Sequence, residues 1–125
     1  MLTSLIHGDF WFSNIILTYD DEYKLIDMKG QVDNILTLNG DIYYDYGKLY
    51  QSIIGYDLIL NGLDVDASYI KTMNQYFLEK CKSLGLNVTY LKYVTKGLIF
   101  GTFHSIKDTK TNIKKNIWEM IKMIL

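Results

Sequence analysis

The chain has 125 residues, 13 basic against 14 acidic, for a net charge of −1. That length suits one domain, residues 1–125, able to bury roughly two-thirds of its unfolded surface. The near-neutral balance excludes the broad basic footprint of a nucleic-acid binder or of a protein held to an anionic membrane. Every basic residue is Lys, so an arginine clamp on phosphate is excluded and charge neutralisation must come from Lys or a metal. The single Cys81 excludes an internal disulfide and is expected to be a small buried apolar residue. No apolar run reaches the ~18 residues of a membrane span, and the start lacks a basic stretch followed by an apolar one. The expectation is a soluble, cytoplasmic chain with no nucleic-acid and no membrane partner.

Taken in order, His7-Gly8-Asp9-Phe10-Trp11-Phe12-Ser13-Asn14 reads as a loop. Residues 14–19 and 23–28 are apolar or β-branched runs split by Asp20-Asp21-Glu22, which predicts a hairpin. The hairpin is marginal alone and must pack on helices. The strand neighbours of Asp27 are expected to be buried, and a lone charge there would be costly without a cationic or metal partner. From Asp41, a plausible N-cap, the spacing of Ile42, Tyr46, Leu49, Tyr50 and Ile53 predicts a helix ending at Gly55. A second helix is predicted over 67–84, between Asp66 and Gly85, with Tyr69, Ile70, Met73, Tyr76, Phe77, Cys81 and Leu84 inward. A third is predicted from about 88 to 103, with Leu91, Val94, Leu98 and Phe103 inward, and Gly97 and Gly101 marking a close helix contact. A fourth is predicted from about 112 onward, with Ile113, Ile117, Trp118, Ile121 and Ile124 on one side. His104 is expected to be a helix-face residue without a role. The class is α+β, mostly α: a helical bundle with one small β-hairpin.

Asp9 and Asn14 lie five positions apart, and Asp27 follows eighteen after Asp9. A loop carrying a carboxylate and a carboxamide, followed by a hairpin that returns a second carboxylate, is one way to build a Mg²⁺ and phosphoryl-transfer site; protein kinases use an Asp, an Asn and a later Asp in these roles. Three motifs in order, His7-Gly8-Asp9 with Asn14, Leu25-Ile26-Asp27, and Gly40-Asp41 with Asp45, resemble the aminoglycoside phosphotransferase and choline kinase-like family. The resemblance covers residues 5–57; beyond them only the helical character agrees. It implies a kinase-like C-terminal lobe, with the N-terminal nucleotide-binding lobe absent, since no Gly-x-Gly-x-x-Gly run occurs and the match begins almost at Met1.

The resemblance implies Asp9 as the catalytic residue, accepting the substrate hydroxyl, with Asn14 and Asp27 binding Mg²⁺ and through it ATP. It gives His7, Gly8 and Asp45 structural support of the loop. Trp11, Phe12 and Lys29 are candidate contacts to substrate or phosphate. The implied function is ATP-dependent phosphorylation of a hydroxyl on a small molecule: a sugar, a sugar derivative or an amino alcohol, in a branch associated with surface-polysaccharide biosynthesis. The Lys-rich tail, with Glu119 its only acid after Asp108, disfavours cationic aminoglycosides as acceptors. As this fragment the chain is expected to be inactive. The competing reading is a non-catalytic kinase-like module whose open apolar face self-associates or captures a partner chain, the missing lobe included. A metal hydrolase using His7, Asp9 and Asp27 is disfavoured because no second His lies at ligand spacing.

Overall fold

The computed structural model describes residues 3–32 and 34–124. In chain order they form β1 (Thr3–Leu5), β2 (Ile15–Leu17), β3 (Tyr23–Leu25), β4 (Gln31–Val32), β5 (Ile35–Leu36) and β6 (Asn39–Asp41). Five helices follow: α1 (Ile42–Ile53), α2 (Tyr56–Leu60), α3 (Ala67–Ser83), α4 (Val88–Phe100) and α5 (Thr111–Met123). The architecture is α+β and mainly helical. Among the described residues the strands make three separate two-stranded antiparallel ladders, β1–β6, β2–β3 and β4–β5.

The β1–β6 ladder sets up everything downstream. Its register pairs Thr3 with Asp41 and Leu5 with Asn39. The loop leaving β1 therefore starts beside the first turn of α1, which follows β6 without a break. Asp41 caps α1 by accepting from the Tyr43 N–H at 2.9 Å. The helix stops where Gly55 takes φ +98°, a left-handed angle that glycine adopts without penalty. Asp66 caps α3 in the same way, accepting from the Ser68 and Tyr69 amides, and Asn87 caps α4 through the Tyr90 amide.

The helices enclose one apolar core. Tyr50 and Ile53 of α1, Phe77 and Cys81 of α3, Leu91 and Ile99 of α4, and Ile117 and Ile121 of α5 are all buried in it. Cys81 sits there as a small apolar group, and burial pushes its thiol up from the ordinary value. The helical stripes in the sequence are wider than the buried ones: Tyr69, Tyr76 and Leu84 of the α3 stripe are exposed, as is Trp118, which meets Phe100 edge-on.

Four expectations need correction. The close helix contact is not at Gly97 or Gly101, both exposed; it is at Gly47, where a Cβ would lie 3.0 Å from Leu98 Cδ1 and 3.2 Å from Val94 Cγ1. Removing the side chain there lets α1 cross α4 closely. Helix α4 ends at Phe100, and residues Phe103–Ser105, including His104, form a separate 3₁₀ turn. The ladders β1–β6 and β4–β5 and the short helix α2 carry too few residues for periodicity to register. The hairpin is shorter than expected, and Leu25, Ile26 and Met28 are 55, 38 and 48% exposed. Three-residue strands in a lone two-stranded ladder supply no second layer to cover them.

Candidate functional site

The site forms where three segments meet: the loop after β1, the first half of α1, and the chain leaving β3. Asp45, one turn into α1, accepts from the backbone N–H groups of His7 at 2.7 Å and Gly8 at 2.9 Å, one carboxylate oxygen to each. Charge-assisted bonds of this kind are about twice as strong as neutral ones. They fix the loop at its first turn. Gly8 has φ +86°, and a Cβ on it would lie 2.7 Å from the Cβ of Lys29, so both the angle and the space require glycine.

His7 connects two of the segments. Its Nε2 lies 2.7 Å from the Ile26 carbonyl oxygen, which only accepts, while Nδ1 accepts from the Asp9 N–H at 3.2 Å. These two contacts assign the Nε2–H tautomer. Both ring nitrogens are engaged with backbone, so the ring holds the loop in shape and has no free nitrogen for proton transfer. Two further backbone bonds stitch the same segments: Ile26 N–H to Asn14 O at 3.0 Å and Lys29 N–H to His7 O at 2.9 Å.

Asp9 and Asn14 touch directly. The buried Asn14 donates through Nδ2 to the Asp9 backbone carbonyl at 2.9 Å and to Asp9 Oδ2 at 3.1 Å. Its Oδ1 has no hydrogen-bond partner among the described residues. The other Asp9 oxygen, Oδ1, is 3.3 Å from Lys48 Nζ, and the Asp9 side chain remains 41% exposed. A ligand can therefore reach it.

Asp27 follows Ile26, whose N–H and C=O are both bonded into the loop. Its φ is +54°, a left-handed angle that Asp tolerates better than most residues. The side chain is exposed and makes no hydrogen bond or ion pair with the described residues. The expectation of a buried environment for it does not hold, and the cost of a buried charge is no argument for a cation there. Among the described residues no three His, Cys, Asp or Glu side chains gather around a common point. The hard oxygen donors these segments carry are the unpartnered Asn14 Oδ1 and the Asp27 carboxylate. A Mg²⁺ that keeps waters and phosphate oxygens for its other positions suits that donor set.

Lys29 contributes its backbone to the stitching, and its side chain is exposed. Trp11 is half-buried and lies under the Lys48 ammonium, 5.4 Å from the ring centroid. Phe12 lines an apolar hollow of about 410 Å³ with Phe10, Ile15, Tyr23, Leu25 and Leu49.

Four residues at the site were not singled out from the sequence: Tyr44, Lys48, Ser52 and Asp57. Ser52 Oγ accepts from the Phe12 N–H at 3.1 Å. Burial pushes the Tyr44 hydroxyl up, and the nearby Asp9 and Asp45 charges push it further. A signal was present: Asp45, Lys48 and Ser52 recur at three- and four-residue spacing, a polar stripe on one face of α1. No family model matches the sequence, and neither a curated protein nor a solved structure matches it.

Proposed function

We propose that the chain carries the catalytic-loop part of an ATP-dependent phosphotransferase of the aminoglycoside phosphotransferase and choline kinase-like type, acting on a hydroxyl of a small molecule. The observation that supports this most is the Asp9–Asn14 contact, held by the Asp45 carboxylate on one side and by the His7–Ile26 bridge on the other. Phosphoryl transfer asks mainly for positioning and charge stabilisation. Asp9 accepts the hydrogen bond of the acceptor hydroxyl and orients its oxygen for in-line attack; proton removal comes late, so an ordinary carboxylate suffices. Asn14 Oδ1 and the Asp27 carboxylate would hold Mg²⁺, which when bound with ATP neutralises charge on the phosphates. His7, Gly8 and Asp45 keep the loop rigid so that little reorganisation is needed.

The acceptor class is a sugar, a sugar derivative or an amino alcohol. A polycationic drug fits poorly, because Glu119, the acid on α5, is already paired with Lys122 at 3.0 Å. A second reading, a non-catalytic module that binds another chain, has one observation in its favour: Leu17, Tyr23, Leu25 and neighbouring apolar side chains of the hairpin are exposed together.

The two readings separate in one experiment. Mn²⁺ with ATP, added to the isotopically labelled chain, is expected to broaden the Asn14 side-chain amide and the Asp27 backbone signals selectively. Asp27→Asn with Asn14→Ala is expected to remove the effect. Broadening that is absent, or spread over unrelated carboxylates, would sink the phosphotransferase reading.

A further inference from the structure

The loop from Phe10 to Ser13 contains no basic residue, yet Asp9 is not without a cation. The cation arrives from α1. Lys48 sets its ammonium over Trp11, with Nζ 5.4 Å from the ring centroid and 3.3 Å from Asp9 Oδ1, and its side chain is only 15% exposed. An ordinary surface pair holds two flexible side chains against solvent and salt and contributes little. Here the geometry is fixed on three sides: the indole face, the carboxylate, and the helix backbone carrying the lysine.

Asp9 is clamped as a result. Asn14 Nδ2 takes Oδ2 at 3.1 Å while Lys48 takes Oδ1. An ionised carboxylate offers about four acceptor positions. Two are used to stop rotation of the group, and two are left for an incoming hydroxyl. One turn along the same face of α1, Ser52 holds the Phe12 amide, so the helix grips the loop at two points.

Both Asp57 carboxylate oxygens are buried without a hydrogen bond, as is Trp11 Nε1. Burial pushes the Asp57 carboxyl up from the ordinary value, and the Lys48 charge opposes that. A buried carboxylate is costly unless a cation lies near it.

We propose that Lys48 is the positioning residue of this site: seated over Trp11 and paired with Asp9, it sets the orientation in which Asp9 meets the acceptor hydroxyl. This rests on the phosphotransferase reading of Asp9. The role is one of orientation through Asp9, not of contact with the reacting atoms.

The test uses the full chain with labelled Asp and Asn. Lys48→Met keeps an unbranched apolar stem but no charge; Lys48→Arg keeps the charge. Lys48→Met is expected to shift the Asp9 carboxyl-carbon signal and the Asn14 side-chain amide signals, leaving the His7 and Gly8 amides on Asp45 in place; Lys48→Arg is expected to restore both. Unchanged Asp9 and Asn14 signals in Lys48→Met, or shifts that Lys48→Arg does not reverse, overturn the proposal. Should Lys48→Met not fold, Trp11→Leu is read instead: without the indole under the ammonium the Asp9 carboxyl-carbon signal is expected to move, and an unmoved signal overturns the proposal. Mn²⁺–ATP broadening in the unaltered chain is scored separately. Its absence together with a Lys48→Met response overturns the reaction and with it the positioning role, leaving only an ion pair. Its presence without that response removes Lys48 alone.

Discussion

Replacing Asp45 by Asn tests the bracing of the loop most directly. The wild-type carboxylate accepts from the His7 and Gly8 amides at 2.7 and 2.9 Å. Both residues are buried, so water cannot substitute readily. Asparagine retains one acceptor oxygen but turns an NH₂ toward the second amide. One charge-assisted bond is lost and one buried donor is left unmade, at about 1.5–3 kcal/mol. Against a total stability of roughly 5–15 kcal/mol this is a large fraction. The expected fall in Tm is about 6–12 °C, taking roughly 4 °C per kcal/mol for a domain of this size. Asp45→Ala, losing both bonds, should cost more. Urea unfolding followed by far-UV circular dichroism gives the free energy, and hydrogen exchange at His7 and Gly8 locates the loss. The bracing argument fails if Asp45→Asn unfolds within about 0.5 kcal/mol of wild type, or if those two amides keep their protection.

Gly47→Leu is expected to destabilise by about 1–3 kcal/mol through overpacking against Val94 and Leu98, and equal stability in urea would refute the close α1–α4 crossing. Burial, and after it the Cys81 charge, push the Tyr50 hydroxyl from 10 up to about 12. Its folded value is above its unfolded one, so this stabilisation is complete below pH 10 and is lost as pH rises to about 12; two units correspond to about 3 kcal/mol. Unfolding curves across that window should steepen in their pH dependence for wild type and lose that component in Tyr50→Phe.

The helices were legible because each buries a stripe long enough to repeat. Ile70, Phe77 and Cys81, or Ile117, Ile121 and Ile124, mark their helices without tertiary information. Capping side chains gave the starts, since Asp41 and Asp66 satisfy amides that any helix exposes. Two- and three-residue strands gave no such repeat, and β1–β6 exists only because chain ends thirty-odd residues apart come together. Gly47 was invisible for a related reason. A glycine within a helical stripe says nothing of its neighbour, whereas Gly97 and Gly101 at four-residue spacing suggested a contact that α4 does not make. Of the site, the spacing of Asp9, Asn14 and Asp45 was readable; Lys48 shared a helical stripe with Asp45 and Ser52 that was not followed, and Asp57 was not readable, because burial of a charged residue has no sequence mark.

The two halves of the candidate site differ in stiffness, and that difference follows from their bonds. Asp9 and Asn14 sit in a loop tied at its start by Asp45, in its middle by Ser52 and at its end by the Asn14–Ile26 bond. Asp27 has only the backbone bonds of Ile26 and Lys29 on either side, and a left-handed φ that stores strain. Its side chain is exposed, just past the end of the hairpin. On the phosphotransferase reading proposed above, this arrangement is rigid where an acceptor hydroxyl would be aimed and yielding where Asp27 would close on a cation. A bound cation that drew Asp27 toward Asn14 would therefore order the hairpin base and leave the loop unmoved. The direction of that coupling is set by the bonds already present, not by the identity of the acceptor.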